Sequence, residues 1–205
     1  MRIKNVVSWF LTTALVGGGL ALVAVFFLQQ GSQSTATNEE ESGGFNVPEV
    51  ANTQGEQAGE GPEDKTLEMT IPGMSRIEDD TVPNAAGDDM QALDDNAAIH
   101  LNGTGYPWQD EANVYLAGHR LGYPGTDSFL AFYDQGGLES GDEIYVEDSE
   151  GTEYTYRVFD SSVVSPAEVE VTQPVEGENI LTLQTCTLPD YSERIITQAE
   201  LVEVS

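Results

Sequence analysis

The run Leu181-Thr182-Leu183-Gln184-Thr185-Cys186-Thr187 holds the only cysteine of this 205-residue chain. We interpret residues 179–185 as a β-strand, so that Cys186 stands at its end. One thiol cannot form an internal disulfide or, alone, a structural zinc site. A function of Cys186 therefore depends on a reactive sulfur.

Two other residues supply what such a sulfur needs for acyl transfer. His119 follows the strand-like run 113–117, and Arg194 begins the last predicted strand, eight positions after Cys186. A histidine exchanges protons and, as imidazolium, favours the thiolate. A guanidinium stabilises a developing oxyanion without losing its own proton. Taken singly, each residue has a structural explanation, such as a buried thiol or a surface ion pair, so only their combination favours catalysis.

Short strands dominate the predicted domain. The segment 67–71 alternates apolar and polar residues up to a Pro-Gly turn, and 143–146 with 153–159 predicts a hairpin. Further strands are predicted at 76–82, 97–101, 113–117, 179–185 and 194–204. A loop with two prolines, residues 165–177, precedes the cysteine strand.

One helix is predicted after Asp127, which is suited to cap its N-terminus. Its apolar face consists of Phe129, Leu130, Phe132 and Tyr133, and two glycines, 136 and 137, end it. Residues 88–96 predict one further helical turn. Seven or eight short strands with one or two short helices predict a mostly β barrel or sandwich.

The N-terminal third of the chain has a different composition. Residues 1–4 carry two basic residues, and 5–28 form an uncharged apolar run long enough to span a bilayer as a helix. The positive charge before this run predicts a cytoplasmic N-terminus and an extracellular domain at the cell membrane. A cleaved signal peptide is the alternative, but the run is long and no clear cleavage site ends it. Residues 29–65 predict a disordered acidic linker, and 66–205 the globular domain.

The net charge of −29 lies almost entirely on the exported part, because all 36 acidic residues follow residue 38. Such a surface excludes nucleic acid and anionic lipid headgroups as partners. It favours adaptation to high salt, where screening relieves the repulsion among carboxylates. The pairs 79–80, 88–89 and 147–148 lack the spacing of a calcium loop, so we expect solvated charge there, no metal and no cofactor.

Three motifs together resemble the sortase family. The catalytic histidine of that family lies in a (Thr/Ala)-Gly-His motif, which Ala117-Gly118-His119 matches. Its nucleophile ends a Thr-Leu-x-Thr-Cys motif, which residues 182–186 match at every fixed position, and Arg194 follows at the usual interval. Gly103-Thr104 also looks like the family. The resemblance covers residues 66–205.

This resemblance implies an eight-stranded β-barrel and a two-step transpeptidation. Cys186 would be the nucleophile, His119 the general acid and base, and Arg194 the group that stabilises the oxyanion or holds the substrate. Thr185 would help to order the substrate or the arginine, or would be a packing residue of the strand. The implied partners are secreted proteins with a Leu-Pro-x-Thr-Gly or Leu-Ala-x-Thr-Gly sorting signal and an amine acceptor such as a cell-wall precursor. In sortases the connection equivalent to 165–177 contacts the signal, so changes there are expected to shift signal preference.

Several interpretations stay open at the level of sequence. The motifs look most like class E sortases, with class D or F as alternatives. A pilin-polymerising enzyme is the next candidate, although residues 65–103 lack the Asp-Pro-aromatic lid motif of that class. A hydrolytic thiol peptidase would use the same three residues with water as acceptor, and a tethered binding module would not need the thiol.

Overall fold

Residues 61–205 are described by a computed structural model of the chain. The predicted anchor, 5–28, and most of the predicted linker, 29–65, lie outside the described residues. Within residues 61–205, no helix is both long and apolar enough to cross a membrane.

Nine strands form one sheet with the order β2-β1-β6-β7-β9-β8-β5-β4-β3. The strands are β1 Leu67–Thr70, β2 Asp80–Val82, β3 Asn84–Ala85, β4 Ile99–Leu101, β5 Ala112–Ala117, β6 Glu143–Asp148, β7 Glu153–Val164, β8 Asn179–Cys186 and β9 Arg194–Val204. The pairs β3–β4 and β5–β8 are parallel, and the other neighbours are antiparallel. Only Pro83 separates the two edge strands, β2 and β3, so the sheet curls into a nearly closed barrel.

The mostly β architecture confirms the predicted fold class. Each of the eight predicted strands has a counterpart among the nine. The additional strand is β3, whose two residues, Asn84 and Ala85, are too few to show a period-2 pattern.

The helix predicted after Asp127 is wrong. The structure has turns there, followed by a 3₁₀ turn, Gln135–Gly137, because Leu130 adopts φ = 58° and the backbone bonds span three residues instead of four. The amides of Leu130 and Phe132 instead bind the carbonyls of Leu121 and His119, at 2.8 and 3.2 Å. Tertiary bonds therefore replace the expected helical ladder.

The one α-helix in residues 61–205, α1, spans Met90–Asp95, where the sequence predicts only a helical turn. The Asp89 side chain caps its N-terminus by accepting the amide of Ala92 at 3.0 Å. Leu93 is its buried anchor. This short helix is held against the barrel at the end where β5 and β8 finish.

Two apolar clusters form the core. The larger one fills the barrel and includes buried side chains from most strands, among them Leu67, Val114, Ile144, Tyr156 and Leu183. The smaller one lies on the other side of β5 and β8 and contains Leu93, Ile99, Leu101, Tyr115 and Cys186. The candidate nucleophile is thus part of a packed apolar cluster beneath α1.

Candidate active site

Strands β8 and β9 bring Cys186 and Arg194 together. These two residues are register partners at the adjoining ends of the strands. Residues directly opposite each other in an antiparallel pair project to the same face of the sheet. The connecting loop closes with a bond from the Thr187 amide to the Glu193 carbonyl at 3.0 Å. Pairing alone therefore sets the arginine beside the thiol.

The Arg194 guanidinium is buried, with 3% of the residue exposed. Its Nη1 donates to the carbonyls of Tyr191 and Glu193 at 3.0 and 3.1 Å. These two carbonyl contacts hold the guanidinium near the thiol. Its positive charge remains able to act on an anion that forms at the site.

His119 reaches the same end of the barrel through β5, which runs parallel to β8. The Gly118 amide donates to the Gln184 carbonyl at 3.1 Å, and this bond extends the β5–β8 pairing to the residue before the histidine. A Cβ atom at Gly118 would lie 2.5 Å from the ring of Phe132. The glycine of the Gly-His motif is therefore required by close packing.

Thr185 lies fully buried between these strands. Its hydroxyl donates to the carbonyl of Gly118 at 2.8 Å. In the structure, then, Thr185 supports the backbone immediately before His119. The sequence predicts that Thr185 orders the substrate or the arginine, or that it is a packing residue of the strand. It does not predict this bond to the backbone before His119.

The His119 side chain is oriented by α1. Its Nε2 lies 2.9 Å from Oδ1 of Asp94, and the two side chains are 15% and 35% exposed. The ring of Tyr123 meets the imidazole edge-on at a centroid distance of 5.8 Å. Asp94 is a site residue that the sequence analysis missed, since nothing in the run 88–96 indicates which carboxylate will face the histidine.

One cavity of about 290 Å³ contains both His119 and Cys186. The other lining residues come from the segment after β5 and from the β8–β9 loop: Arg120, Leu121, Gly122, Tyr123 and Tyr191. The structure thus places the predicted thiol and histidine in one cavity, with Arg194 opposite the thiol in the strand register.

Two opposing influences act on the thiol. Burial raises the pKa of Cys186 above its ordinary value, and the positive charge of Arg194 lowers it in part. The net direction is upward, so the thiol form predominates at neutral pH. Acyl transfer at this site would therefore need a base, and His119 is the histidine that lines the same cavity.

Among residues 61–205, no group of three or more histidine, cysteine, aspartate or glutamate side chains is placed to hold a metal ion.

Comparison with known proteins decides the family. A family model described as the sortase domain matches residues 69–202, which include the whole site. The chain belongs to the sortase family. Cys186, His119 and Arg194 are the residues of this sortase that match the family's motifs.

Individual relatives agree with that assignment. Sortase A from Streptococcus agalactiae serotype III (strain NEM316) is 39% identical over 90 residues, which cover 43% of this chain and 36% of the relative. Sortase C-1 from Actinomyces oris is 30% identical, with a TM-score of 0.55, over 67% of this chain and 73% of that structure. Group B Streptococcus Pilus Island 1 Sortase C2 is 26% identical, with a TM-score of 0.57, over 70% and 77%. The chain matches about a third of the curated relative's length, and its similarities extend over more than one sortase class.

Proposed function

We propose that this sortase is a membrane-anchored cysteine transpeptidase that attaches secreted proteins to a cell-wall amine. The observation that carries the proposal is the cavity shared by Cys186 and His119, with Arg194 paired opposite the thiol. The anchor is the apolar run 5–28, which places the domain outside the membrane.

In the first half-reaction, His119 accepts the thiol proton and Sγ of Cys186 attacks the carbonyl carbon of threonine in the sorting signal. The C–N bond to the following glycine breaks, a thioester forms, and His119 gives the proton to the leaving amine. Arg194 stabilises the negative charge on the carbonyl oxygen. The proton taken from the thiol thus leaves with the amine, and the enzyme remains acylated on Cys186.

In the second half-reaction, the accepting amine attacks the thioester. Its nitrogen loses a proton to His119, the C–S bond breaks, and the proton returns to the sulfur. An amide bond replaces the one that was cleaved, so no external energy source is needed. Water in place of the amine would give hydrolysis at the same residues.

The first experiment measures how products divide between transfer and hydrolysis. The full-length chain in detergent is incubated with a Leu-Pro-x-Thr-Gly or a Leu-Ala-x-Thr-Gly peptide, with and without triglycine. We expect amine-dependent ligated product, absent in Cys186→Ala. Cleavage that never yields ligated product at any amine concentration would overturn transpeptidation and favour the thiol peptidase. A preference for the alanine peptide would support class E.

A pilin-polymerising sortase is the second candidate, favoured by the similarity to the Pilus Island 1 Sortase C2 structure. It differs in its acceptor, a lysine side chain of another surface protein. Replacing triglycine by a lysine-containing pilin-type peptide separates the two functions, because only the polymerising enzyme prefers the lysine amine.

A further inference from the structure

The imidazole of His119 has a partner that the family motifs do not include. Asp94 belongs to α1, 25 residues before the histidine, and its Oδ1 lies 2.9 Å from Nε2. An ionised carboxylate only accepts hydrogen bonds, so the proton of neutral His119 is on Nε2. In that tautomer Nδ1 carries no proton, so it is the nitrogen that can accept the thiol proton and later give it to the leaving amine.

We propose that Asp94 is a positioning residue that holds His119 in its Nε2-protonated form and stabilises the imidazolium during the reaction. This role in catalysis rests on the proposed transpeptidation, whereas its geometry is the observed contact between His119 and Asp94. An imidazolium formed beside a buried thiol otherwise has only partial solvation, since the His119 side chain is 15% exposed.

The helix that carries Asp94, α1, is held at both ends. Asp89 caps its start, and the Asn96 side chain donates to the Ala92 carbonyl at 2.8 Å near its end. Leu93 packs in the same apolar cluster as Cys186. A carboxylate on a helix held in this way keeps its direction, whereas one on a free loop would lose it.

The other groups around the imidazole come from three elements. Tyr123 presents its ring from the segment after β5. Cys186 and Tyr191 line the same cavity from β8 and the following loop, and Arg120 lines it from the segment after β5. Asp94 contributes the carboxylate from α1, with Oδ1 at 2.9 Å from Nε2.

The test uses Asp94→Asn, with Asp95→Asn as the matched control. Both changes remove one negative charge from α1, but the Asp95 side chain is exposed, whereas Asp94 is the residue whose Oδ1 lies 2.9 Å from Nε2 of His119. Because Cys186 is the only cysteine, the iodoacetamide alkylation rate of the full-length chain reports its thiolate without any peptide substrate.

The proposal and a simple charge effect predict opposite shifts of the alkylation midpoint in Asp94→Asn. Loss of the imidazolium partner moves the midpoint of the alkylation–pH curve upward in Asp94→Asn, whereas loss of a nearby negative charge alone moves it downward. We also expect kcat for peptide transfer to fall about tenfold with little change in KM, and Asp94→Glu to restore part of it. A midpoint that moves down, or that matches Asp95→Asn, overturns the proposal.

A measurement on the unaltered protein guards against a variant that fails to fold. Nitrogen NMR of the histidines distinguishes the two neutral tautomers. Nε2-protonated His119 supports the proposal, and Nδ1-protonated His119 overturns it. If the peptides are not substrates but alkylation and tautomer behave as expected, the proposed function fails and the role of Asp94 stands.

Discussion

At the residue scale, Arg194 influences Cys186 before any substrate binds. Its guanidinium lowers the pKa of a thiol that burial raises. We expect Arg194→Ala to move the midpoint of iodoacetamide alkylation to higher pH, because only the raising influence remains. We also expect kcat/KM for transfer to fall by about 100-fold or more, since an oxyanion partner is lost.

The matched variant is Arg194→Lys, which keeps the charge but loses the guanidinium whose Nη1 binds both the Tyr191 and the Glu193 carbonyl. It should retain a near-normal alkylation midpoint and lose most of the transfer activity. A midpoint in Arg194→Ala that stays in place or falls would contradict the electrostatic role.

His100, the second histidine, stabilises the fold and takes no part in the site. Burial lowers its pKa to about 4, and its Nε2 lies 2.9 Å from the Gly105 carbonyl. Because the pKa is lower in the folded state than the ordinary 6.5, its contribution to stability is full above pH 6.5 and is lost as pH falls toward 4.

We therefore expect the free energy of unfolding to decrease by about 2 kcal/mol between pH 7 and pH 5 from His100 alone. Urea denaturation at both pH values measures it, with His100→Gln as the comparison. The variant should be less stable at pH 7 but show a smaller acid loss. Equal acid losses in the two proteins would refute this assignment.

At the element scale, one side-chain amide holds the middle of the segment between β7 and β8. Nδ2 of Asn113, on β5, donates to the carbonyls of Val171 and Gln173 at 2.9 and 3.0 Å. Val171 belongs to a 3₁₀ turn, Val169–Thr172, and packs against the cluster that contains Cys186. The loop predicted to contact the sorting signal is thus held by two part-buried hydrogen bonds from the Asn113 side chain.

We expect Asn113→Ala to speed hydrogen–deuterium exchange in residues 165–177 and to raise KM for the peptide more than it lowers kcat. Asn179→Ala is the control, since Nδ2 of Asn179 clamps the carbonyls of Pro107 and Gln109 in a different loop at 2.9 and 2.7 Å. If both variants raise KM equally, loss of stability and not the loop explains the effect.

Sequence patterns predict the elements of this fold unevenly. Strands such as β8 and β9 are long enough to show their alternation, and the structure begins β9 at the predicted residue, Arg194. The segment after Asp127 has a helical pattern of apolar residues, but its amides bind the loop that follows β5. Such nonlocal bonds leave no periodic signal, so local patterns cannot predict them.

At the scale of the whole molecule, acidity dominates. Residues 61–205 contain 30 acidic and 5 basic residues, counted from the full sequence, a difference of −25. In these residues, two ion pairs join a carboxylate to a basic side chain: His119–Asp94 and Arg157–Glu143. Ion pairs therefore neutralise little of the negative charge in the described part, and the remaining carboxylates repel one another across the surface.

We expect the melting temperature to rise by about 5 °C or more between 0.1 and 1 M KCl, because the screening length falls from about 10 to about 3 Å. Thermal melts near the isoelectric point of about 4.1 are the control, since the net repulsion vanishes there. A melting temperature that is flat in salt at pH 7 would contradict the proposed adaptation.

Sequence motifs predict some residues of the site, whereas others are brought there only by the packing of the fold. The family motifs contain Cys186, His119 and Arg194, and strand pairing explains why two of them are neighbours. Asp94 and Asn113 are not in those motifs. Each acts through a contact across many residues of sequence, and in a chain with 36 acidic residues nothing distinguishes one aspartate from the others in advance.

The most direct test of the account is intact-mass spectrometry of the full-length chain mixed with a sorting-signal peptide in the absence of amine. We predict an adduct equal to the acyl part of the peptide, attached to Cys186 and discharged within seconds to minutes when triglycine is added, with the ligated peptide as product. As the control, the Cys186→Ala variant should form no adduct. An adduct on another residue, or peptide cleavage by the Cys186→Ala variant, would contradict the central claim that this thiol carries the acyl group.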